Sequence, residues 1–168
     1  MRRLLLSLAA AGSLTCQQAA AELQCLGPSD RAAFDVQALR SEAMVLATGC
    51  ADSAQYNDFM TRYHPALQDN EHEVAAWFQH KFGKRGQAEH DRFITELANA
   101  QSDAGTQLGS DFCPHNGVIL SEVMALSSAS ELAQFAAGQK LMPPSADVCN
   151  TPAASASGVR RVSVKKHR

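Results

Sequence analysis

No stretch of this chain alternates apolar and polar residues as a half-buried strand would, and its glycines and prolines fall between apolar segments. That absence excludes a β or mixed architecture and leaves an all-α class. Catalytic signatures are missing as well. There is no H-E-x-x-H and no pair of histidines four residues apart, so the usual helical zinc motif is not present. Without C-x-x-C, thiol redox chemistry has little support, and without C-x-x-C-H the same is true of covalent haem attachment. A serine hydrolase would need the G-x-S-x-G elbow, which is not found. Gly83-Lys84-Arg85-Gly86 is basic but too short to cradle phosphates, and reads as a solvated turn.

At the N-terminus, Arg2 and Arg3 precede an apolar run from Leu4 to about Leu14, and Ala19-Ala20-Ala21 supplies an A-x-A cleavage site. Residues 1–21 are therefore expected to be a secretion signal, with Glu22 the mature N-terminus. The run falls far short of the ~20 apolar residues needed to span a bilayer, and no later stretch is long enough. Cys16 offers a competing lipid-modified terminus, but Ser13-Leu14-Thr15 lacks the small residue that usually precedes such a cysteine. Cleavage leaves Cys25, Cys50, Cys113 and Cys149, an even number in an oxidising compartment, hence two expected disulfides and a periplasmic or secreted location.

Residues 150–168 are small and polar and then basic, without apolar periodicity, and are expected to form a disordered tail. All 17 acidic residues lie between Glu22 and Cys149, against 8 basic ones. A strongly acidic body with a basic tail argues against nucleic acid as the main ligand, because such affinity rests largely on neutralising phosphates.

Residues 22–149 fit one domain with one core, read as a bundle of about five helices. The first should begin after Pro28 with Ser29 as N-cap and stop at Gly49, burying Ala32, Val36, Leu39, Ala43 and Leu46 on one face while Asp30, Arg40 and Ser41 lie on the far side. A second starts near Ser53, with Tyr56, Phe59, Met60 and Tyr63 as its core stripe. Pro65 predicts a kink or break, and Asn70 followed by Glu73 predicts a capping box that restarts the helix through Val74, Trp77, Phe78 and Phe82. The next long helix runs from about Gln87, with Phe93, Ile94, Leu97, Ala104 and Leu108 spaced for burial and Gly105 fraying its end. Ile119, Val123 and Leu126 mark a helix after Cys113-Pro114, and Ser128 to Glu131 caps a short last one, Leu132 to Ala137.

Geometry narrows the disulfide pairing. A first helix of ~20 residues is ~30 Å long and separates Cys25 from Cys50, whereas bridged Cα atoms lie within about 7 Å. An antiparallel course of the following segments brings Cys50 and Cys113 to one pole and leaves Cys25 for Cys149. A reversal at Pro65 would instead bring Cys113 toward Cys25.

Histidines are the most suggestive chemistry: His64, His72, His80, His90 and His115 are interleaved with carboxylates. His80 and His90 lie five residues either side of Arg85, and Glu73 is seven residues before His80, nearly the same helical face. His80, His90 and Glu73 could thus converge on a divalent transition metal. The competing reading makes His90 a partly buried member of the Ile94 and Leu97 stripe and leaves His80 exposed. Cys113-Pro114-His115 could present an activated thiolate at a helix start, although a disulfide would consume it. Gln101, continuing the same stripe, would be a buried amide in need of partners. The leading expectation is a non-catalytic binding or interaction module with an unknown protein partner and no resident cofactor. The alternative is a metal-binding protein using His80, His90 and Glu73.

Overall fold

A computed structural model describes residues 26–143; the expected signal, Cys25, Cys149 and the basic tail lie outside them. All regular structure within that span is helical: α1 (Pro28–Gly49), α2 (Ser53–Arg62), α3 (His64–Phe82), α4 (Gly86–Leu108), α5 (Phe112–Asn116), α6 (Val118–Met124) and α7 (Leu132–Gln139). Single 3-10 turns at Gly83–Arg85, Gly109–Asp111 and Ala129–Glu131 join some of them. Four of these helices have ten residues or more, instead of the five expected. The segment after Cys113 is cut into short pieces because the chain turns at Gly117, where a Cβ would sit 2.6 Å from the Cys113 carbonyl oxygen. No described helix is long and apolar enough to cross a membrane.

α1 is the axis of the molecule. A single buried stripe was expected, yet every residue from Ala33 to Leu39 is buried and Ala32 is exposed, because α3 and α4 cover its first half while α2, α5 and α7 also contact it. Two core clusters result. Around the N-terminal half, Phe34 meets Trp77 and Phe93 edge-on at centroid distances of 5.1 and 5.2 Å, with Val74, Phe78 and Leu97 completing the group. Around the C-terminal half, Leu39, Ala43 and Leu46 pack with Phe59 and Tyr63 of the α2 end and with Leu120, Val123 and Leu132. The α2 stripe is as expected, with Phe59 and Tyr63 fully buried. Tyr63 donates its hydroxyl to the Val123 carbonyl at 2.6 Å, and Arg62 donates to the carbonyls of Met124 and Leu126. These bonds satisfy acceptors freed where α6 ends.

The break at Pro65 is sharper than expected and the restart comes sooner. Tyr63 closes α2 and opens α3, and Pro65 occupies the first turn of α3, where its missing N–H costs nothing. Asn70 is therefore no cap. It lies mid-helix, buried, and donates from Nδ2 to the Ala33 carbonyl at 2.8 Å. α1 likewise starts two residues earlier than a Ser29 cap would give, with Gly27 at the cap and its carbonyl accepting from the amides of Asp30 and Arg31. Contacts of Trp77 with Asp30 and of Arg40 with Glu71 show that α3 returns antiparallel to α1. α4 then climbs back, and the Cys50–Cys113 disulfide closes at that pole with a Cα–Cα distance of 5.6 Å.

Candidate functional site

The sequence stripe on α1 conceals three polar residues that the structure buries: Asp35, Gln37 and Glu42, none more than 4% exposed. Asp35 accepts from Arg31 Nε at 2.8 Å. Glu42 accepts from Asn116 Nδ2 at 3.1 Å, and burial pushes its carboxyl above the usual range, an effect the Asn116 bond partly opposes. Gln37 is different, because its Oε1 has no hydrogen-bond partner among the described residues. Leaving a buried acceptor unpaired costs about 1–3 kcal/mol, which makes each such atom informative.

Gln37 lies at one wall of a cleft of about 590 Å³ between α1, α3 and α4. Arg40, from the α1 face expected to point to solvent, lines the same cleft and donates to Glu71 Oε2 of α3 at 2.7 Å. The other oxygen of Glu71 stands 3.5 Å from Nε2 of His90 on α4, too far for a hydrogen bond of ordinary strength. His90, which also lines the cleft, is buried against the Phe78 ring, and its Nε2 is a second buried atom without a hydrogen-bond partner among the described residues. Met44, Ala75, Ile94 and Ala98 supply apolar surface. Beyond the Arg40–Glu71 pair lies a smaller hollow of about 300 Å³ beside His64 and His72, so this ion pair is the partition between two depressions.

The residues singled out from sequence are placed as follows. His90 is buried, whereas His80 and Glu73 are exposed. The hairpin register sets Phe78, not His80, opposite His90, because the chain spends Gly83–Arg85 in a 3-10 turn. Glu71 takes the carboxylate position beside His90; Glu73, two residues on, lies roughly 200° further around the helix. Among the described residues no group of three or more His, Cys, Asp or Glu side chains is arranged to hold a metal ion. Cys113 is in the disulfide and His115 is exposed. Gln101 is buried, donating from Nε2 to the Ala38 carbonyl at 2.9 Å, with its Oε1 unpartnered.

Sequence reading did not find Gln37, Arg40 and Glu71. A polar residue on a helix looks solvent-facing until it is known that the helix is surrounded. Ser41 also lines the cleft, but no hydrogen bond joins its hydroxyl to His90 among the described residues, so a nucleophile–base pair is not assembled there. Fold and cleft together define a small all-α bundle with a polar recess beside its central helix. No protein-family model, curated protein or solved structure matches the chain.

Proposed function

We propose that this chain is an exported, non-catalytic binding module, periplasmic or secreted, whose recognition site is the cleft between α1, α3 and α4. The observation that carries the reading is that two buried polar atoms without a hydrogen-bond partner among the described residues, Gln37 Oε1 and His90 Nε2, belong to residues lining one cleft. Its volume of about 590 Å³ suits a small molecule or a single protruding side chain better than a broad protein face. Export is supported by the basic, apolar and small-residue order of residues 1–21 and by the Cys50–Cys113 bridge, a bond that persists in oxidising compartments. The metal alternative through His80, His90 and Glu73 has no comparable observation behind it, since two of those three side chains are exposed.

A thermal-shift screen of a small-molecule library against the wild-type protein and an Ala98→Trp variant tests this reading. Ala98 lines the cleft, so an indole there fills it. Compounds that raise the melting temperature of the wild type and leave Ala98→Trp unmoved are the expected result. Stabilisers that act equally on both proteins would place recognition elsewhere.

A further inference from the structure

We infer that the ligand of this cleft is a small organic ammonium ion with an apolar body. The inference rests on the binding reading above and adds the chemical class. Three donors around the cleft are engaged, Arg40 on Glu71 Oε2, the Gln87 amide on Asp91 Oδ1 at 2.9 Å, and the Thr95 hydroxyl on the Asp91 carbonyl at 2.9 Å, while the Ser41 and Tyr56 hydroxyls that also line it are neutral. Acceptors are left over. Among the described residues Gln37 Oε1 has no donor, and Glu71 Oε1 has only the 3.5 Å approach of His90. A ligand that pairs both of these acceptors brings donors of its own, and an ammonium brings three N–H groups.

Charge points the same way. Two carboxylates, Glu71 and Asp91, line the cleft against one guanidinium, Arg40, which is spent on the first of them. An anion would meet uncompensated negative charge, whereas a cation enters a field that the acidic body extends well beyond the cleft. Met44, Ile94 and Ala98 give an alkyl or aryl group something to cover. The ammonium sits against Glu71 Oε1 and draws the Gln37 amide oxygen toward it, supplying the donor that oxygen lacks.

The test titrates the ¹⁵N-labelled exported protein at pH 7 and low salt with three probes of one shape: 2-phenylethylamine, 2-phenylethanol and phenylacetate. The amine is expected to shift the amides of His90, Ile94 and Ala98 saturably, with the alcohol at least about ten-fold weaker and the acid silent. Glu71→Gln and, separately, the exposed Asp91→Asn should each weaken the amine, while Glu73→Gln should not. Having both variants guards against loss of fold in the first. Equal or tighter binding of the alcohol or the acid at the same amides would overturn the ammonium class while leaving the cleft as a binding site. Silence of all three probes would overturn the ammonium proposal, and the library screen then decides separately whether the cleft binds anything.

Discussion

Glu42 shows what a single side chain contributes when its surroundings are wrong for its charge. At 1% exposure it accepts a hydrogen bond from Asn116, and desolvation raises its pKa above the ordinary 4.5. A carboxyl whose folded pKa lies above its unfolded one favours the folded state when protonated. Its contribution is complete below the unfolded value and is lost as pH rises through the folded one. Glu42→Gln keeps an acceptor for Asn116 and removes the ionisation. Urea midpoints from pH 4 to pH 8 should therefore show the variant gaining on the wild type as pH rises; parallel curves would mean that Glu42 is not desolvated. The sequence could not announce Gln37, because a stripe drawn through Val36, Leu39, Ala43 and Leu46 assigns it to the outside, whereas Glu42, three residues after Leu39 and four before Leu46, falls along the edge of that stripe. Gln101 was legible, since it falls four residues after Leu97 on a stripe already apolar.

Elements were legible where periodicity was strong and not where a neighbour decided. The α2 stripe and the Phe93–Leu97 part of α4 follow from spacing alone. Further along α4, Ala104 and Leu108 are exposed and Gly105 is buried, because Phe112 places its ring against Gly105, with three ring atoms 3.1 to 3.2 Å from where a Cβ would be. Position also divides the glycines. At Gly86 a Cβ would lie 2.7 Å from the Gln79 Cα, a backbone atom that cannot step aside. Helix propensity favours alanine over glycine by about 1 kcal/mol, but overpacking costs about 1–3 kcal/mol, so Gly86→Ala should destabilise. Gly138 in α7 has nothing within 4 Å and no positive φ, so there propensity wins and Gly138→Ala should add roughly 0.4–1 kcal/mol. Chemical denaturation of the two variants checks both signs. Opposite changes are expected; a Gly86→Ala protein as stable as the wild type would show that the α3–α4 hairpin yields.

For the whole molecule, the Cys50–Cys113 bridge spans 63 residues of sequence and ties the end of α1 to the start of α5. Closing so long a loop restricts the unfolded chain, and Cys50→Ser with Cys113→Ser should cost about 2–4 kcal/mol, read from guanidinium midpoints. Spacing narrowed Cys113 to two partners, Cys50 or Cys25, depending on the course at Pro65; the chain takes the antiparallel course, and Cys50 is the partner. The cleft was not readable, since it depends on three helices meeting at Arg40, Glu71 and His90, which no local pattern relates. Its role as the recognition site is most directly tested by mapping screen hits onto the ¹⁵N-labelled protein. Shifts gathered around Gln37, Glu71 and His90, and absent in Ala98→Trp, are the expected result. Hits whose shifts cluster on α6 and α7, away from the cleft and unchanged in that variant, would contradict it.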